Sequence, residues 1–426
     1  MLRRSLFCLL MLGLLWPAAL PAQAQEKKPK DREEYDLFNS VLKETDPKKK
    51  LQLLDQWAQK YPGTDYKEER GKFYMQTYQQ AGQPAKALEA AKEVLAIVAN
   101  DFSANFTIGS LGPFLGSTDA KLLEDIEKAC GGLLRAEKPA NVSDADWANA
   151  KKLASFVAHQ GAGWVAMVRK NNEPAEKEFI QALELTPGAA QVSFWLGTVV
   201  QAQKNPDKNT LALFCFARAA AYDGQGALAP AGRQQMDAFL SKAYSNYHGP
   251  DAEGLAQLKN LAKANALPPA DFKIKSKDEI KAEQDADLQK KDPLLAFFLT
   301  IKSRLAEEGD AFWQSMKGTA MPPLKGTVIA ATPALRPKTL TLGMSQATDA
   351  EITLTLETAL PRKLDAGTVI TFEGAEPTEY TASPFMIKMQ GGKITAGLPE
   401  APKAAPSKPK PGTKAGPKAG AKKKAG

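Results

Sequence analysis

Residues 156–189 read FVAHQGAGWVAMVRKNNEPAEKEFIQALELTPGA, and this stretch decides the fold. Its apolar residues recur with a helical period that ends at Pro187. The reading is two helices joined by a short turn. Gly163 lies on the first, and Ala175, Phe179 and Ala182 lie on the second at spacings of 4 and 3, with Pro187 5 further on. Small residues let two helices approach closely, a large one fills the gap between them, and proline ends the second.

The same spacing recurs outward in both directions. Leu196-Gly197 is followed by Ala212, Phe216 and Ala219, with Gly224 in place of the proline and an insertion around Asn205-Pro206-Asp207. Upstream stand Tyr78, Ala87, Ala91 and Val94, and before them the half-copy Leu54, Trp57, Pro62. Downstream stand Tyr247, Ala256, Asn260, Lys263 and Pro268, and residues 102–140 read as a diverged pair closed by Pro139. A period near ~34 residues marks a repeat array. The chain thus resembles the tetratricopeptide-repeat family over roughly 38–270. The alternative is a generic helical bundle. Ala166 and Val200 depart from the family's usual aromatic, and Lys263 stands where a small residue is expected, as in a helix that ends the array facing water.

The resemblance implies an α-solenoid of five or six hairpins, a right-handed superhelix whose first helices line a concave groove that binds a protein or peptide. Carried onto this sequence, the groove positions are Lys72, Gln76, Gln79 and Gln80; Gln160, Trp164 and Met167; Phe194, Thr198 and Gln201; and Ser241, Ser245 and His248. Glutamine amides pair with peptide backbone in either sense, and a tryptophan offers anchor area. The alternative is that Gln and Ser are merely solvated and Trp164 is core.

After Pro268 the chain turns polar. Residues 271–320 read as a helical connector, with Leu295, Phe298, Leu299 and Ile301 as a stripe that docks on the last repeat. From about 321 to 398 the period switches to two. Strands are expected at Lys325–Ala330, Thr339–Leu342, Ile352–Leu356, Thr368–Phe372 and Phe385–Met389, with a short one near Lys393. Turns are expected at Arg336-Pro337, Asp365-Ala366-Gly367 and Gly391-Gly392. This is a small all-β barrel or sandwich. Its Gly326-Thr-Val and Gly367-Thr-Val-Ile runs are weakly similar to oligonucleotide/oligosaccharide-binding (OB) barrels. The outward residues are Thr and Glu, with no basic stacking groove, which argues against nucleic acid.

The two ends carry the charge. The whole chain is +8, yet residues 401–426 hold eight Lys and no acid, and residues 25–400 balance at −2. Residues 1–24 read as a signal peptide: Arg3 and Arg4, an apolar run from Leu6 to Trp16, and Ala22-Gln23-Ala24 before the cut. The expected location is periplasmic or secreted, in a bacterial envelope, with no transmembrane segment in the mature chain and residues 25–37 as a linker. Residues 399–426 read as a disordered Lys/Ala/Pro/Gly tail able to touch anionic polymer or lipid.

Chemistry finds little footing. The chain has two His and three Cys, and Cys8 leaves with the signal. Cys130 and Cys215 read as small buried side chains, with a disulfide as the alternative in an exported protein. Ser40-Val41-Leu42-Lys43 matches Ser-x-x-Lys by chance, and Gly161-Ala162-Gly163 lacks the strand that a dinucleotide site needs. No cofactor or metal site is expected. The reading is a non-enzymatic scaffold or adaptor. The alternatives are an envelope tether working through the tail and β domain, or an enzyme with an unrecognised carboxylate site.

Overall fold

Asp31, Asp46, Asp101, Asp119, Ser143, Asp251 and Asp292 each stand one residue before a helix and accept a hydrogen bond from a first-turn backbone N–H. Such caps satisfy donors that the helix leaves orphaned. The computed structural model describes residues 27–399, so the signal at 1–24 and nearly all of the tail lie outside the described residues. These residues form two units that divide between Lys277 and Asp278.

The first unit is helical: α1 (Arg32–Lys43), α2 (Pro47–Lys60), α3 (Lys67–Gln80), α4 (Pro84–Ile97), α5 (Phe102–Leu111), α6 (Ala120–Arg135), α7 (Asp144–Val168), α8 (Asn172–Leu185), α9 (Ala190–Ala202), α10 (Asn209–Ala221), α11 (Pro230–Tyr247) and α12 (Ala252–Ala264). The first ten pair into five hairpins, and α11 and α12 both pack on α10. Residues 102–140 supply one of these hairpins, α5 and α6, and the insertion near Asn205 is a 3-10 turn, Pro206–Lys208. The copy that opens at Phe156 begins in mid-helix, because α7 starts twelve residues earlier behind Ser143.

The recurring spacing has a direct geometric counterpart. A Cβ on Gly163 would stand 2.7 Å from the Phe179 ring, and one on Gly197 would stand 2.8 Å from Phe216. Both rings are fully buried. Each of these repeats thus closes by pressing a glycine against a phenylalanine. One apolar core runs from Met75 on α3 to Ile274 beyond α12, while Leu37, Val41, Leu54, Trp57 and Tyr61 form a separate cluster in the first hairpin.

Two boundaries differ from the sequence reading. Residues 25–37 are not a linker where they are described, because α1 starts at Arg32 and the segment before it is tied down. Lys27 Nζ reaches Glu68 and Glu69, Tyr66 Oη donates to the Lys27 carbonyl, and Lys30 Nζ reaches Asp65 at 2.8 Å. At the other end, Lys263 is exposed as expected, but residues 265–276 run on as an irregular strap with a turn at Pro269–Phe272. Phe272 and Ile274 turn inward and Lys273 and Lys275 outward. Phe272 meets Phe214 edge-on at 5.8 Å, and the Ile274 N–H donates to Thr210 Oγ1 at 3.2 Å.

In the second unit α13 (Lys277–Lys291, its first residue belonging to the first unit) has no buried residue. Then come α14 (Pro293–Glu308), α15 (Asp310–Met316), β1 (Leu324–Thr332), β2 (Thr339–Gly343), β3 (Ile352–Leu356), β4 (Val369–Glu373), β5 (Glu376–Ala382) and β6 (Phe385–Ala396). β2 pairs antiparallel with β1 and β3, β3 pairs parallel with β6, and β4 pairs antiparallel with both β6 and β1. That circuit closes a five-stranded barrel, in which β5 continues β4 past Gly374-Ala375 and pairs with the first part of β6. Leu324, Leu340, Leu354, Ile370 and Phe372 fill it.

The apolar stripe of α14 belongs to this barrel rather than to the last repeat. Phe298, Ile301 and Leu305, with Trp313 and Met316 of α15, share its core. Gly391-Gly392, expected as a turn, lies inside β6. Gly391 takes φ +75, and a Cβ on Gly392 would stand 2.5 Å from Leu354, so the pair bends the strand from β5 toward β4.

Candidate functional site

The first helices α3, α7, α9 and α11 carry the residues assigned to the groove. Gln76, Gln80, Thr198, Gln201 and Ser245 are exposed. Lys72, Gln79, Met167, Phe194, Ser241 and His248 are half-buried, and Gln160 and Trp164 are buried. The anchor role read for Trp164 is therefore corrected. At 6% exposure its indole is a core side chain, because Gly161 and Gly163 draw α7 close to its neighbours.

Several half-buried members join one hairpin to the next. Lys72 Nζ bridges Glu68 on its own helix and Asp101, the cap of α5, both at 2.7 Å. Burial alone would lower its pKa, but the two carboxylates outweigh it and raise the ammonium above its usual value. Gln79 Nε2 donates to Thr107 Oγ1 on α5 at 3.0 Å. Thr198 and Ser241 turn their hydroxyls back to carbonyls four residues earlier, Phe194 and Asp237.

An exposed apolar residue outside the sequence-derived set lies on α11. Phe239 of α11 is 40% exposed and meets the buried Phe216 edge-on at 4.9 Å, while Phe194 of α9 lies 6.4 Å from the same ring. Phe239 adjoins the buried Leu240 without sharing its face, and that is its signal in the sequence.

Arg218 also lies outside that set. Its guanidinium is buried on α10 and donates to the carbonyls of Pro187, Ala262 and Lys263, at 2.9, 2.9 and 2.5 Å, where α8 and α12 end. It also stacks 3.8 Å from the Tyr222 ring. Burial lowers its pKa, and the helix C-terminal dipoles favour the charge.

The carboxylates that are most buried are structural. Glu34 accepts from Trp57 Nε1 at 3.0 Å and from the Lys30 backbone at 2.6 Å. Glu351 accepts from Lys302 Nζ, from the Ser345 hydroxyl and backbone, and from the Met344 N–H. Burial pushes both carboxyls up, but these donors outweigh it and hold them below the usual range. Groups held as anions in this way are poor general acids. His159 Nδ1 meets Glu178 at 2.7 Å on the neighbouring helix. Cys130 and Cys215 are free and buried, and burial pushes the Cys130 thiol up to about 12, far from thiolate chemistry at neutral pH. Among the described residues no cluster of His, Cys, Asp and Glu is placed to hold a metal, and no helix is long and apolar enough to cross a membrane.

No protein-family model and no curated protein matches the chain. Among solved structures it is similar to a thermophilic tetratricopeptide-repeat protein of Thermus thermophilus, with 16% identity and a TM-score of 0.28 over 50% of this chain and 95% of that one.

Proposed function

We propose that the chain is an exported, non-enzymatic scaffold whose first-helix face holds an extended segment of a protein partner. The observation that carries this is the neutral polar set Gln76, Gln80, Thr198, Gln201 and Ser245, exposed on the first helices α3, α9 and α11 while α10 is almost wholly buried. Glutamine amides offer both donors and acceptors to a peptide backbone, and Thr198, whose hydroxyl donates to Phe194, offers an acceptor. The rigid glycine–phenylalanine packing leaves little ordering cost on the scaffold side.

The barrel's strand circuit, β1-β2-β3-β6-β4 with its parallel β3–β6 contact, supports the OB-like reading. Its outer β2–β3 face pairs Thr339 with Thr355 and Thr341 with Thr353, which offers no aromatic stacking platform. This favours a docking role for the barrel over nucleic-acid binding. Removal of 1–24 and location in a bacterial envelope belong to the same proposal.

The test places a photo-crosslinking residue at Gln80 or Gln201, and at Gln181 on the second helix α8 as a control. One protein of defined mass captured at the first two sites and absent at the third supports the face. Equal capture at all three, or none, removes it.

A further inference from the structure

We propose that one end of the barrel, where Leu335, Arg336, Lys338 and Arg362 meet, seats the β domain on an anionic lipid surface. This rests on the docking role given to the barrel and supplies it with a surface, and it is independent of the first-helix face. Two loops form that end, residues 333–338 after β1 and residues 357–368 after β3. Backbone bonds tie them together. The Lys338 carbonyl accepts from the Leu356 N–H at 2.8 Å, and the Pro337 carbonyl accepts from the Leu360 N–H at 2.9 Å. The Lys338 N–H closes the first loop by donating to the Thr332 carbonyl at 2.9 Å.

Charge at this end is unbalanced, although residues 25–400 as a whole sum to −2. The two loops hold Arg336, Lys338, Arg362 and Lys363 against Glu357 and Asp365. Lys363 takes Asp365 at 2.5 Å. Among the described residues no carboxylate pairs with Arg336, Lys338 or Arg362, and the first two are exposed. Between Pro333 and Pro337 stands Leu335, at 76% the most exposed large apolar side chain among the described residues. The prolines restrict the loop, so little further ordering is needed to present that side chain. Leu398 and Pro399 line a small hollow with Leu360, Arg362 and Leu364, so the eight lysines of 401–426 follow directly from this end.

These features select a bilayer over a soluble polyanion. Phosphate groups of either pair with the cations, but only a bilayer offers acyl chains to Leu335. Each charge near an anionic surface gains about fivefold in binding, so the two net charges of the loops are too few to hold the chain alone. The lysines of 401–426 supply the attraction, and the barrel end fixes which side of the domain faces the lipid.

The experiment measures partition of a chain of residues 25–426 onto vesicles of phosphatidylcholine mixed with phosphatidylglycerol, at about 0.1 M salt. Arg336→Gln, Lys338→Gln and Arg362→Gln together should lower the partition coefficient about a hundredfold, three charges at about fivefold each. The same loss of charge at Lys43, Lys48 and Lys49, exposed lysines of the first hairpin, should cost no more than about fivefold. A polarity-sensitive dye on Leu335→Cys should shift to the blue on these vesicles and stay unshifted on inorganic polyphosphate; Cys130 and Cys215 are buried and leave the label to that site. Equal losses in the two triple variants, or a dye that does not shift on vesicles, overturn the proposal. A dye that shifts equally on polyphosphate also overturns it, in favour of a soluble polyanion. Capture at Gln80 and Gln201 is a separate measurement, so the first-helix face and the barrel end stand or fall independently.

Discussion

At the scale of single residues the fold rests on pairs that exclude other side chains. Gly163 against Phe179 is the clearest. Gly163→Ala forces a methyl to 2.7 Å from the ring, and overpacking of this kind costs about 1–3 kcal/mol. The added Phe179→Leu should recover part of that loss, because the two changes share one contact; urea midpoints of the four variants check it. The pair is legible in the sequence because its members lie 16 positions apart within a single hairpin. Arg218 is not legible. It looks like one more base in an Ala-rich helix, and its carbonyl partners lie 31, 44 and 45 positions away. Its removal leaves three carbonyls near the ends of α8 and α12 without their donor. Arg218→Ala should therefore lower stability by about 2–5 kcal/mol, and Arg218→Lys should not restore it in full, because Arg218 reaches the α12 end with one guanidinium nitrogen and the α8 end with the other, and lysine has a single nitrogen. Urea unfolding followed by tryptophan emission checks both variants.

At the scale of elements, alternation exposes the strands that are half-buried and hides those that are not. Ile352, Leu354 and Leu356 alternate cleanly with threonines, and β3 falls where they predict. β5 escapes this pattern: Glu376-Pro-Thr-Glu-Tyr-Thr-Ala is polar, contains a proline, and pairs along its length only with β6. The stripe on α14 is visible in the sequence but its neighbour is not, since periodicity reports that a face is covered and not by what. Among the groove positions, helix and face are readable, whereas the burial of Trp164 depends on α6 and α8, which its own helix does not reveal. The β2–β3 connection depends equally on long-range partners. Glu351 gathers Met344 and Ser345 from that loop and Lys302 from α14. Its carboxyl is held below the usual range despite burial, so the stability it supplies is present above the unfolded-state value and is lost as pH falls through the lower folded value. The barrel should thus weaken in acid by about 1–3 kcal/mol from this site. Glu351→Gln should be less stable at neutral pH and lack that part of the acid dependence, as thermal unfolding of the chain from pH 7 to 3 would report.

At the scale of the whole molecule, charge is segregated along the chain. The +8 of the sequence vanishes in residues 25–400, which sum to −2, and returns in the eight lysines of 401–426. Anion binding and partner binding are then expected to be separable properties. Each lysine near an anionic surface contributes about 1 kcal/mol, and the contribution decays within a Debye length of about 8 Å at physiological salt. A chain of residues 25–426 should accordingly co-sediment with vesicles containing anionic lipid at about 0.05 M salt and release near 0.5 M, where the Debye length is only a few ångströms. A chain ending at Pro399 should stay in solution in both conditions, because its folded units carry no net positive charge. The same truncation should leave crosslinking at Gln80 and Gln201 unchanged, since the first-helix face lies wholly within the first unit. If the shortened chain still co-sediments, the anion-binding surface belongs to the folded units and the segregation has no functional meaning.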